Sequence, residues 1–259
     1  MNRLYNKSEL GFAIFWIVVY LLVASVADSI SKIFRIEKSI TSVVLLLMSV
    51  LLFIWIVRNK HTERYGLCLP KYESKYFLYY IPLIIMMSMN LWLGIEMNYS
   101  VFETILYIIS MLCVGFLEEI IFRGFLFKAM AKDNAILAII ISSVTFGIGH
   151  IINLITNSGV DVVANVCQVF YSMAAGFLFV IIFYRGGSLI PCIVTHGVFN
   201  ALSCFMNYSV LSQTIDIIIS IVLIVLNLSY ALLLIKIVPK NNENISEDNI
   251  SDNIIKNKN

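Results

Sequence analysis

ETILYIISMLCVGFLEEIIFR, running from Glu103 to Arg123, is the stretch on which the reading of this chain turns. From Thr104 to Leu117 it carries no charge, and then it ends on Glu118, Glu119 and Arg123. About 20 mostly apolar residues are enough to cross a bilayer as a helix, and residues 103–122 meet that description. Each ionised group near a helix centre costs roughly 2.5–3.5 kcal/mol on insertion scales, so charges retained there point to function.

Outward from that stretch the chain keeps the same character. Of its 259 residues 60% are hydrophobic and 13% charged, with a mean hydropathy of +0.90. A soluble domain carries roughly 25% charged residues, so too little polar surface is present to face water. The class is all-α, a polytopic transmembrane helix bundle. About eight spans are expected, near 11–27, 40–57, 76–95, 103–122, 135–155, 162–184, 188–206 and 213–237. The first also has the form of a signal peptide, with Arg3 and Lys7 before an apolar run ending in Ser25-Val26-Ala27.

The sequence has eighteen Lys and Arg, three of which (Lys32, Arg35, Lys38) fall in the first inter-span loop. The other fifteen fall at the N-terminus, in the loops after spans two, four and six, and in the tail. By the positive-inside rule both termini are then cytoplasmic. A net charge of +2 without a basic cluster excludes nucleic acid as a partner. The five cysteines are scattered, with no Cys-x-x-Cys pair, and read as small buried hydrophobes.

Glu119 and Arg123 are four apart and share a helix face, acid first, as ion pairs prefer. Glu118 points about 100° away, so one carboxylate is held while its neighbour stays free. A charge cluster at a helix end with a snorkelling arginine has the same pattern. Two further polar groups sit in apolar segments. Phe146-Gly147-Ile148-Gly149-His150 places Phe146 and His150 on one face, continued by Asn153 and Asn157, with glycines that admit a close neighbour helix. His196-Gly197-Val198-Phe199-Asn200 aims a histidine and a carboxamide at one spot. The third histidine, His61, lies in a charged loop and is expected to be solvated. Together these residues supply an acid, bases and donors. A carboxylate in low dielectric holds its proton more readily and suits general-base work, and imidazole and amide donors stabilise an oxyanion.

Glu-Glu-x-x-x-Arg, Phe-x-x-x-His and His-x-x-x-Asn in this order on successive helices resemble the CAAX-protease and bacteriocin-processing family. These are intramembrane endopeptidases related to the type II CAAX prenyl protease. The stretch Gly176 to Ala201, with Tyr184-Arg185-Gly186-Gly187-Ser188-Leu189-Ile190-Pro191, is similar to that family as well, and the likeness covers about 103–203. The resemblance implies a division of roles. Glu118 with His150 deprotonates water, His196 and Asn200 hold the oxyanion, Glu119 and Arg123 support, and Phe146 forms a wall. It also implies a peptide or protein substrate at the lipid bilayer, in peptide or bacteriocin maturation, self-immunity or CAAX-type processing. Spans one to three match nothing in the family.

Two histidines and a glutamate suffice for a three-ligand zinc site, but no His-Glu-x-x-His helix is present. The metal is left open, zinc included, and the reading slightly favours metal-free water activation. The organisation expected is 1–100 as N-terminal spans of unassigned role and 101–206 as the catalytic core. A C-terminal span follows over 207–238, then a disordered cytoplasmic tail over 239–259. The location expected is the cell membrane, with the site toward the cytoplasm. Counting puts Glu118 about 8–10 residues from its helix end and His150 about 15 into the next, a mismatch near 10 Å at 1.5 Å per residue. It disappears if span four runs on past Arg123 through Phe127. A non-enzymatic immunity or scaffold protein of the same fold, or an ion-coupled transporter, uses the same residue types. The lack of an internal repeat counts against transport.

Overall fold

The computed structural model describes residues 1–156 and 161–239. The tail expected over 239–259 lies, but for its first residue, outside the described residues, as does Asn157. Within them the secondary structure is helical, apart from an isolated bridge between Ile95 and Met206.

Among the described residues six helices are long and apolar enough to cross a membrane. They are α1 (Glu9–Phe34), α2 (Ser39–Arg58), α4 (Val101–Ala131), α5 (Ala135–Gly149, continuing to Leu154), α6 (Val162–Gly186) and α8 (Gln213–Ile237). The other two expected spans contain shorter helices, α3 (Ile81–Ser88) and α7 (Ile190–Leu202). The segment expected as 76–95 breaks because Leu78, Tyr79 and Tyr80 take positive φ angles, and the helix restarts at Ile81 with Pro82 in its first turn. Proline suits that place, since its missing N–H has no intrahelical acceptor there.

Side-chain caps set several boundaries. Ser8, Asn134, Asp161 and Ser212 accept backbone N–H groups at the starts of α1, α5, α6 and α8. Ser100 and Glu103 form a reciprocal capping box on α4. Each cap satisfies donors that have no acceptor in the first turn.

The two ends of the bundle differ. At the basic end, Glu9 pairs with Arg64 at 2.6 Å and Lys132 at 2.9 Å, joining the start of α1 to the loops after α2 and α4. Lys71 donates its backbone N–H to Gly186 O at 2.9 Å, and Arg185 Nη1 donates to Val238 O at 3.2 Å. At the opposite end Lys38 pairs with Asp28 at 2.9 Å, Glu37 N–H donates to Glu103 Oε1 at 3.1 Å, and Tyr107 bonds Ser203 at 2.9 Å.

Aromatic side chains fill the core toward the basic end. Phe12, Trp55, Tyr65 and Phe125 are buried there, with ring centroids 4.9 Å apart for Phe12–Trp55 and 5.0 Å for both Phe12–Phe125 and Tyr65–Phe125. His61 is not simply solvated, as its charged loop suggested. Its ring lies 5.2 Å from Tyr5 and 5.6 Å from Trp55 and Tyr65, and desolvation, helped by Arg64, pushes its imidazole below the ordinary value.

Candidate active site

α4 is α-helical to Glu118 and then π-helical from Glu119 to Phe127 before its last turn ends at Ala131. π-turns inside α-helices cluster at functional sites, and this one carries Glu119 and Arg123. The extension removes the depth mismatch. Glu118 lies about 20 Å in from Ala131 and His150 about 22 Å in from Ala135 at 1.5 Å per residue.

Glycine brings the two charged helices together. A Cβ on Gly115 would fall 2.5 Å from the backbone nitrogen of Gly197, so α4 and α7 touch backbone to backbone. Glu118 and Glu119 follow Gly115 by one turn, and His196 adjoins Gly197. Gly147 plays a similar part against α6, where a Cβ would fall 2.7 Å from Val169 O. Gly149 has no heavy atom within 4 Å of such a Cβ and contributes no close approach.

Glu119 and Arg123 are fully buried and paired at 3.0 Å. The same Glu119 Oε1 lies 2.9 Å from His196 Nδ1. A carboxylate already paired with arginine can only accept, so Nδ1 carries a proton and the ring is fixed with Nε2 pointing away. Nε2 faces Glu118 Oε2 at 3.5 Å. The ion pair therefore orients His196.

Glu118 is held from elsewhere. Its Oε1 accepts a 2.6 Å hydrogen bond from the Tyr20 hydroxyl on α1. Its Oε2 makes no hydrogen bond within the protein. The Arg123 guanidinium stacks on Phe146, 4.0 Å from the ring centroid, and lies 5.7 Å from Phe179. Such cation–π contacts stabilise a desolvated cation by about 2 kcal/mol. Phe146 also packs edge-on against both His150 (5.5 Å) and His196 (5.6 Å).

Two cavities meet at these residues. Glu118, Tyr20 and His150 line the larger, of about 660 Å³. His196, Asn200 and His150 line the smaller, of about 50 Å³. Phe146, His150 and Gln168 line both. Glu118 and Asn200 thus sit in different cavities, with His150 on the boundary.

Sequence reasoning missed Tyr20 and Gln168. Gln168 Oε1 accepts from Asn153 Nδ2 at 3.1 Å, and Asn165 Nδ2 donates to His150 O at 3.0 Å, so α6 fixes the segment carrying His150. An amide inside an apolar span was the available signal for Gln168. Tyr20 had none, because its contact reaches across 98 positions of sequence.

The larger cavity is lined from Glu118 to Asp28, Lys32, Glu37 and Lys38, and by no residue of the loops over 58–75 or 128–134. Among the described residues no three His, Cys, Asp or Glu side chains converge to hold a metal ion. Both His196 nitrogens already face carboxylates, so the residues do not form the three-ligand zinc site and no step below is routed through a metal.

No curated protein and no solved structure matches the chain. A family model does, described as type II CAAX prenyl endopeptidase Rce1-like, over residues 100–202. That interval takes in α4 to α7, and with them Glu118, Glu119, Arg123, Phe146, His150, His196 and Asn200, while Tyr20 lies outside it. The likeness to type II CAAX prenyl endopeptidases thus covers the four helices that carry the candidate site, and less than half of the chain.

Proposed function

We propose that the protein is an intramembrane endopeptidase in which Glu118 and His150 activate water, while His196 and Asn200 receive the oxyanion. The observation that carries this reading is the placement of His196 between two carboxylates, Nδ1 at 2.9 Å from Glu119 and Nε2 at 3.5 Å from Glu118. One carboxylate is tied up by Arg123. The other keeps an oxygen free of hydrogen bonds beside a cavity.

The steps follow from these groups. Water lodged between Glu118 and His150 gives up a proton to the carboxylate as its oxygen adds to the peptide carbonyl. Negative charge develops on the carbonyl oxygen, where the Asn200 amide and the His196 ring, carrying a proton on each nitrogen between the two carboxylates, are the donors beside the smaller cavity. Collapse of the tetrahedral intermediate breaks the C–N bond, and the proton held by Glu118 passes to the departing amine. Glu119 and Arg123 fix the His196 ring, and Phe146 walls the site between the histidines. The family likeness supports peptide or bacteriocin maturation, self-immunity or CAAX-type processing as the setting, at the cell membrane.

Replacement of Glu118, His150 or His196 by Ala tests the proposal. Each variant should insert and express yet lose cleavage. Full activity in all three would refute the assignment.

A further inference from the structure

We propose that the smaller cavity is a built water site, anchored by Asn227 of α8, which resupplies the reacting water while substrate fills the larger cavity. The supply role rests on the endopeptidase reading; the water site itself does not.

An unpartnered side chain carries the argument. Asn227 is 1% exposed, lies well inside an apolar helix and lines the smaller cavity. Its Oδ1 has no hydrogen-bond partner within the protein. A carbonyl oxygen taken out of water and left unpaired is costly, so such groups are satisfied by protein or by ordered water. Asn227 lies outside residues 100–202, so the family likeness assigns it nothing.

The size and chemistry of the cavity fit water. Its volume of about 50 Å³ exceeds the roughly 10–15 Å³ that one water molecule needs. Thr195 Oγ1 gives its proton to Pro191 O at 2.7 Å and is left, like Asn227 Oδ1, as an acceptor. The Asn200 amide, in the same lining, can donate. Water makes both kinds of hydrogen bond. Between these groups the wall is apolar, with Met86, Phe179 and Leu223.

Position gives the water site its use. Glu118 keeps its free oxygen beside the larger cavity, and a peptide lying there displaces water from it. His150 and Gln168 line both cavities. Water stored behind the histidines therefore reaches the point between Glu118 and His150 without crossing the substrate. Each cleavage consumes one water molecule, whose OH joins the new carboxyl group and whose remaining hydrogen goes to the amine.

Hydroxyl-radical footprinting of the purified full-length chain tests the water site without any substrate. Radicals made by X-ray radiolysis of bound water oxidise the side chains beside it, and methionine is readily converted to its sulfoxide. Met86 lines the cavity and Met89 does not, although both are buried. Met86 should oxidise several-fold faster than Met89. Asn227→Leu, close in shape but without the polar oxygen, should bring it down to the Met89 rate. Ala175→Val fills the same cavity from α6 with Asn227 in place and should do the same. Equal oxidation of Met86 in the wild type and both variants would overturn the inference. Turnover is then read on a peptide spanning a Glu118-dependent cleavage site. Asn227→Leu should lower kcat about 10-fold, the order of one hydrogen bond, with KM unchanged and Tm no lower. Asn227→Ser, which keeps an oxygen, should retain most of the wild-type kcat. An unchanged kcat in Asn227→Leu, a raised KM (the mark of a subsite for a substrate side chain) or an equal loss with serine would overturn it. The footprint needs no cleavage, so it succeeds or fails independently of the Glu118 variants.

Discussion

Glu118 and Glu119 are neighbours in sequence with the same side chain, yet the two sides of α4 make them different groups. Glu119 is fully buried, shares one oxygen between Arg123 and His196, and belongs to the packing. Glu118 is held by one oxygen at Tyr20 and presents the other beside a cavity. Fixing a carboxylate with an ion pair makes it a scaffold; fixing it with a single hydroxyl leaves it able to take up a proton. Adjacency on a helix thus separates structure from chemistry by about 100° of rotation.

The largest effect that would break this comparison is in activity. Glu118→Gln should lower cleavage by about 10²–10⁴-fold, the range of general-base catalysis, while Tm stays at the wild-type value. A Tm loss without an activity loss would exchange the roles of the two residues. On the Glu119 side the effect is in stability. Arg123→Ala leaves a buried carboxylate without its cation and should cost about 3–5 kcal/mol, read as lost folded protein in detergent. The double variant Glu119→Ala/Arg123→Ala should cost less than the two single losses added, because neither charge is then stranded.

Smaller effects sharpen the comparison. Tyr20→Phe removes a charge-assisted hydrogen bond of about 1.5–3 kcal/mol. It should reduce kcat with KM unchanged and lower stability by no more than that amount, as expected of a residue that positions Glu118. Gly115→Ala forces α4 and α7 apart at their closest approach, with an overpacking cost of about 1–3 kcal/mol. Since His196 then leaves both carboxylates, activity and stability should fall together.

Much of this was legible in the sequence because it is local. Four-residue spacing placed Glu119 with Arg123, Phe146 with His150, and His196 with Asn200, and the run of apolar residues after Arg123 anticipated the extension of α4. What was not legible depends on distant contacts. Tyr20 finds Glu118 only when α1 packs on α4, and Glu119 binds His196 because Gly115 and Gly197 let two backbones touch. Hydropathy counted segments 76–95 and 188–206 as equals of the other spans, but positive φ at Leu78 to Tyr80 interrupts one, and the other forms a helix of 13 residues. The lining of the larger cavity was not legible either, because Tyr20 and Asp28 of α1 meet Tyr107 and Glu118 of α4 only in the packed bundle.

The most direct measurement compares the protein N-termini present in membranes of cells expressing the wild-type chain with those expressing Glu118→Gln at equal abundance. The account predicts new N-termini that appear with the wild type and vanish with the variant. An identical set of N-termini from the two would contradict it.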